Sequence, residues 1–331
     1  MKYLIRYKKF AIKWLEKKRG FVKESTYANY ACIIHNHIIP VLGNYYLRNI
    51  SNELLQNFII RKCQEGRLDK TGGLSDKAIK DIVSVLKSSI RYAIKNKYMK
   101  YVDLEFYYPS NNNNEKICVF SKLEQKRLIE NATDNLKNKD IGIVLALYTG
   151  IRIGELCALR WGDIDFKRGY LNVDKTIQRI YVKDNMGVGR TKLIITSPKT
   201  KNAIRTIPIN KEFIDVLKKV RKREECYILT GTRKCMEPRN LRKYYYKIID
   251  KLEISKLHFH SLRHTFATNC IRLGCDYKTV SELLGHSSVN MTLNIYVHSQ
   301  MSQKKRCINT MYHDLVPEIE KEYFDEEMDE C

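Results

Sequence analysis

A chain of 331 residues with 60 Lys+Arg against 37 Asp+Glu carries +23 at pH 7, a field suited to a polyanion, with nucleic acid the leading candidate. Residues 317–331 hold eight acidic residues and one lysine, so the rest of the chain carries +30 and the acidic tail is a separate signal. No apolar run approaches the roughly 18 residues of a membrane-spanning helix, and the basic start MKYLIRYKKFAIKWLEKKRG lacks the apolar core and cleavage site of a secretory signal.

A cytoplasmic location without membrane association is therefore expected. Ten cysteines without CxxC pairs fit reduced thiols better than a disulfide framework. Cys226 and Cys235 with His258, His260 and His264 offer zinc-ligating types at a spacing foreign to the usual structural sites, so no metal is expected.

At this length two domains are expected. Residues 1–107 read as a small helical domain. Its clearest element is 75–97, where Ser75 can cap and Ile79, Ile82, Val83, Leu86, Ile90 and Ala93 form one stripe. The opposite face carries Lys80, Lys87, Arg91 and Lys95, placed either to meet phosphates or simply to be solvated. Residues 1–110 hold 21 basic and 9 acidic residues, which favours the phosphate reading. The run YYPSNNNNEK interrupts the periodicity and predicts a linker over 108–117.

Beyond it, Ser121 with Glu124 predicts a capping box opening the helix SKLEQKRLIENA. IGIVLALYTG reads as a buried helix ended by Gly150, with Arg152 just past that end and Glu155 one step later to steady it. An arginine in such a place is ordinarily a surface residue. Alternating segments at 170–173, 176–182, 193–196 and 205–209 predict a small antiparallel sheet with long turns. Lys199 falls in its last turn, and Lys201 is a rival two residues on.

Residues 237–252, with Arg239, Arg242, Lys243 and tyrosines at 244 to 246, predict a basic, aromatic helix suited to DNA. The tyrosines there either stack on bases or, for at least one of them, pack on the core. His260 and Arg263 are spaced i,i+3, so on a helix they share a face and can converge on one phosphate. His286 follows Leu283, Leu284 and Gly285, a helix end and turn that could aim its ring at the same anion, and Tyr296 lies ten residues later.

The segments TGIRIGELCALRW, SPKTKNAIRTIPI, HFHSLRHTFAT and LLGHSSVNMTLNIYVH together resemble the catalytic domain of tyrosine recombinases, the integrases of phages and conjugative transposons, over residues 121–298. FAIKWLEKKRGFVKESTYANYACIIHNHIIPVLGNYYLRNISNELLQNFI resembles their helical core-binding domain, and it begins so near Met1 that a short, two-domain member without an arm-binding module is expected. The resemblance implies a mainly α (α+β) fold: a core-type DNA-binding domain at 1–107, a linker at 108–117, and a mixed α/β catalytic domain at 118–298 with a small antiparallel sheet. A carboxy-terminal helix and acidic tail at 299–331 would be exchanged between protomers.

It also implies the roles. Arg152 and Arg263 clamp the phosphate, Tyr296 is the nucleophile, His260 assists its deprotonation, Lys199 protonates the leaving 5′ oxygen, and His286 bonds a non-bridging oxygen. No cofactor is implied, in keeping with the absence of a GxxxxGK[ST] phosphate loop. The expected partners are double-stranded attachment or core sites, three further copies in a homo-tetramer on DNA, and an excisionase or DNA-bending protein. A type IB topoisomerase, which uses a related constellation, and a non-enzymatic DNA-binding regulator of the same fold remain as alternatives.

Overall fold

The computed structural model describes residues 4–69, 71–107, 118–183, 189–198, 201–296, 305 and 308–312, with the backbone path alone at 183, 201, 291 and 294–296. Contacts divide the chain into two units, Met1–Glu115 with Arg179–Ile194, and Lys116–Gln178 with Ile195–Cys331. Residues 108–117, predicted as a linker, and 313–331, most of the predicted tail, lie outside the described residues.

The first unit is built on α1 (Tyr7–Lys18), α2 (Glu24–Ile33), α3 (Ile39–Leu42), α4 (Asn52–Glu65) and α5 (Asp76–Lys95). α2 runs into α3 through a π-helical turn, Ile34–Ile38. Pro40 has no N–H to donate back to Asn36, so the helix widens for one turn ahead of it. α5 matches its prediction closely. Ser75 accepts from the Ala78 N–H, and the six predicted apolar positions are buried in a core with Tyr7, Trp14, Ile34, Leu47 and Leu55. Inside that core the Tyr7 hydroxyl meets Ser89 Oγ at 2.7 Å.

The second unit begins with α6 (Lys122–Asn135), α7 (Asn138–Thr149) and α8 (Ile153–Ala158). The capping box of α6 is present: Glu124 N–H donates to Ser121 Oγ at 3.3 Å and Ser121 N–H to Glu124 Oε2 at 2.7 Å. Ser121→Ala should cost about 1 kcal/mol, read as a lower urea midpoint with an unchanged slope. α7 is buried nearly all round, as its unbroken apolar run requires.

Five strands follow: β1 (Ile164–Asp165), β2 (Tyr170–Val173), β3 (Thr176–Lys183), β4 (Gly189–Thr196) and β5 (Arg205–Pro208). The predicted strand segments all form, but they are shared between two sheets. β1, β2 and β5 make one, antiparallel throughout, with Leu171 opposite both Ile164 and Ile207; β3 and β4 pair only with each other. Leu171, Val173 and Ile207 face the core of the second unit, whereas most of the β3–β4 ribbon belongs to the first unit, where Lys192 pairs with Glu24. The remaining helices are α9 (Lys211–Val220), α10 (Pro238–Lys251), α11 (His260–Arg272), α12 (Tyr277–Leu284) and α13 (Val289–Tyr296). α11 and α12 pack through Phe266, Ala267, Cys270, Val280 and Leu284.

Candidate active site

Two glycines set the frame. α7 stops at Gly150 and α12 at Gly285, both left-handed, with φ of 62° and 65°. A Cβ on Gly150 would sit 2.6 Å from the Phe266 ring and 2.7 Å from Leu284 Cδ2, so only glycine allows the close approach as well as the turn. Each turn leaves a carbonyl at the negative end of a helix, and a guanidinium takes it up. Arg263 Nη1 donates to the Gly150 carbonyl at 2.8 Å, and Arg152 Nη2 donates to the Gly285 carbonyl at 3.0 Å. The residue after each turn thus lies in a loop clamped by the other end of the site.

Arg152 is held from below as well. Glu155, 3% exposed in the first turn of α8, accepts the Arg152 backbone N–H at 3.0 Å on Oε2 and Arg152 Nη1 at 2.8 Å on Oε1. A second arginine shares the same carboxylate: Arg205, at the start of β5 and 6% exposed, donates from Nη2 to Glu155 Oε2 at 2.9 Å. Its other donors go to the carbonyls of Leu283 at 2.6 Å and Ala203 at 3.0 Å, which ties β5 to the last turn of α12. Sequence reasoning picked out Glu155 but missed Arg205. Its partner is 50 residues away, and an arginine opening a short strand gives no local signal of burial.

On α11, Arg263 is buried at 3% exposure, and His260 one turn earlier keeps a solvent-facing edge while its ring meets His264 edge-on at 4.7 Å. Thr265 anchors the helix by donating to the Ser261 carbonyl and accepting the Phe120 N–H. His286 is buried, and its Nδ1 lies 2.8 Å from the hydroxyl of Thr292 on α13, a contact that orients the ring and leaves Nε2 to meet another group. Asn202 Nδ2 donates to the His286 carbonyl at 3.3 Å. Tyr296 ends α13, where the backbone path alone is described, and Lys199 lies outside the described residues.

The histidines record the local field. His260 is lowered to about 4, by partial burial first and then by His264, Arg263 and Arg152. His286 is also lowered to about 4, by burial first and then by Arg263, Arg152, Arg205 and His260. Two imidazoles and three guanidiniums therefore share one neighbourhood whose only carboxylate among these residues, Glu155, is already taken. That is an anion site, with donors in fixed directions and a low cost of reorganisation. Among the described residues no group of three or more His, Cys, Asp or Glu is placed to hold a metal ion, so the zinc alternative has no ligand set there.

Both histidines are kept neutral by the fold, so the unfolded chain binds more protons than the folded one once pH falls below about 6.5. Their contribution to stability is complete above that value and is lost as pH falls toward about 4. The DNA-free protein should show a lower urea midpoint at about pH 5 than at about pH 7. A bound phosphodiester cancels part of the positive field and raises both histidines, so binding in that window should take up protons. Equal affinities measured in buffers across the window would contradict this.

α10 presents Arg239, Arg242, Lys243 and Lys247 on an exposed face. Of its three tyrosines, Tyr245 is fully buried and donates to the Leu257 carbonyl, half-buried Tyr244 donates from its hydroxyl to Asp140 Oδ1, and half-buried Tyr246 meets the exposed His258 at Nδ1, 3.1 Å away. Tyr245 thus packs on the core, as expected for at least one of the three.

Residues 119–303 match the phage integrase family, and residues 7–62 match the phage integrase N-terminal SAM-like domain. The chain is 32% identical over 327 aligned positions to a protein described as tyrosine recombinase XerC-like from Caldanaerobacter subterraneus subsp. tengcongensis, covering 91% of this chain and 79% of that one. In fold it is similar to the Tn1549 transposon integrase in complex with transposon right end DNA, with a TM-score of 0.71 at 21% identity over 93% of this chain and all of that one. It is also similar to lambda integrase, solved as a tetramer bound to a Holliday junction, with a TM-score of 0.60 at 22% identity over 86% of this chain and 78% of that one. No helix among the described residues is long and apolar enough to cross a membrane. With both domains of the family matched along the chain and a preorganised anion site between its helix ends, this protein belongs to the phage integrase family and is a tyrosine recombinase, a DNA-binding enzyme that cleaves and rejoins DNA strands in site-specific recombination.

Proposed function

We propose that the chain is the cytoplasmic integrase of a mobile element and that Arg152, Lys199, His260, Arg263, His286 and Tyr296 form its catalytic set. The observation that carries this reading is the convergence of Arg152, Arg263, His260 and His286, with each arginine already braced by a helix-end carbonyl. Arg152 and Arg263 neutralise the non-bridging oxygens of the scissile phosphate while Tyr296 Oη attacks phosphorus. The new bond is a 3′-phosphotyrosyl ester; the bond to the 5′ oxygen breaks. His260 takes the phenolic proton, Lys199 gives one to the departing 5′ oxygen, and His286 donates to a non-bridging oxygen. Reversal by a 5′ hydroxyl from another strand restores a phosphodiester without a nucleotide or a metal.

In this reading residues 1–107 bind core-type DNA and 118–298 carry the chemistry. Exchange of strands between two duplexes needs four protomers, with 299–331 passed to a neighbour; an excisionase or a DNA-bending protein directs integration against excision. The lambda integrase tetramer on a Holliday junction supports the assembly by likeness of fold, and likeness to the Tn1549 transposon integrase supports the mobile-element origin.

The test is a nicked suicide duplex carrying the element's end sequence, incubated with the protein in the presence of a chelator. A denaturant-resistant protein–DNA band is expected. Tight binding with no band would move the chain to a DNA-binding regulator of the same fold, and relaxation of plasmids that lack any attachment site would favour a topoisomerase.

A further inference from the structure

Among the features that the recombination chemistry does not use, the end of α11 stands out. Cys275 N–H donates to the Cys270 carbonyl at 3.0 Å and Gly274 N–H to the Ile271 carbonyl at 3.0 Å, with Gly274 at φ 96°. This is the Schellman closure of a helix, in which the third residue from the end and the second beyond it bring their side chains together. A pair of apolar residues ordinarily fills those two positions. Here both are cysteines.

A 3.0 Å bond between the backbones of residues 270 and 275 keeps their Cα atoms within about 7 Å, the outer limit for a disulfide bridge. Their exposures are complementary. Cys275 is exposed, open to a soluble oxidant, while Cys270 is half-buried against the α11–α12 contact. The two thiols also interact: Cys270 is pushed up to about 12, by burial first and then by Cys275, so it stays a thiol until its neighbour is oxidised.

We propose that Cys270 and Cys275 are a modification site, a dithiol that closes to an intramolecular disulfide on exposure to a hydroperoxide. Cys275 sulfur attacks the peroxide, giving Cys275 sulfenic acid and one alcohol or water. Cys270 sulfur then displaces hydroxide from that sulfenic acid, which leaves as water with the Cys270 proton. Two electrons pass from the two thiols to the peroxide, and thiol reductants reverse the change. The bridge would pin the turn between the helix that carries His260 and Arg263 and the helix whose end presents His286.

Trypsin makes the test direct because Arg272 lies between the two cysteines. The native, full-length protein is treated with hydrogen peroxide, alkylated and digested without reduction. The expected product is HTFATNCIR joined to LGCDYK, lighter by two hydrogens than the separate peptides, absent after dithiothreitol and absent from Cys275→Ser. Because Cys275 is exposed, that variant should fold, and its circular dichroism and urea midpoint serve as the check. The proposal is overturned if both peptides emerge separately alkylated or further oxidised after peroxide, or if Cys270 is found joined to a different cysteine.

Discussion

Tyr296→Phe is expected to abolish the covalent protein–DNA adduct while leaving DNA affinity unchanged. The substitution removes one oxygen from the end of α13 and nothing from the braced arginines, from Glu155 or from the exposed basic face of α10. Binding by phosphate neutralisation therefore persists, whereas no other atom inherits the role of nucleophile. The contrast with Lys199→Ala is informative: losing one proton-transfer group typically slows a step by ~10²–10⁴-fold, so a weak, slow adduct should survive there. Both variants are run on the nicked duplex and quenched over a time course. An adduct that persists in Tyr296→Phe would shift the nucleophile to Tyr312, 59% exposed, or to another tyrosine, and would undo the reading of the last motif.

Glu155→Ala should destabilise the protein by ~3–5 kcal/mol, a large share of the ~5–15 kcal/mol that ordinarily holds a domain together. Glu155 is 3% exposed and takes three donors, two from Arg152 and one from Arg205, itself 6% exposed. Truncation strands a buried guanidinium, and no water can replace the carboxylate at equal strength. Glu155→Gln keeps the shape without the charge and should fall between. A double replacement, Glu155→Leu with Arg205→Met, removes both charges and should recover much of the loss in urea unfolding. Additive losses in that cycle would mean that the pair is not coupled. Burial alone would push the Glu155 carboxyl up, but Arg205 and then Arg152 overcome it and hold it below its usual range. Its stabilisation is present above the unfolded value of about 4.3 and is lost as pH falls through the lowered folded value. That is a more acid window than the one set by His260 and His286.

The helices were legible because their signals are local. Ser75, Ser121 and Glu124 announce their caps within three residues, and the stripe from Ile79 to Ala93 follows the 3.6-residue period of the core it enters. The strands were legible one by one, but not their partition into two sheets. Alternation states which face is buried and not which strand is the neighbour, so the pairing of β2 with β5 across more than thirty residues left no trace. In the site, Arg152, His260, Arg263 and His286 could be named from their motifs, and Gly150 and Gly285 from the way helices end. Arg205 and Thr292 could not: Arg205 acts through partners 50 and 78 residues away, and Thr292 through one contact across a turn, and neither leaves a local signal in the sequence.

The exposed residues Arg239, Arg242 and Lys243 of α10 stand apart from the bonds that tie Gly150, Gly285, Glu155 and the arginines together. Substitutions along that helix face leave those buried bonds in place. Charge can therefore be added to or removed from that face as an independent variable, with the folded scaffold of the site as a constant background.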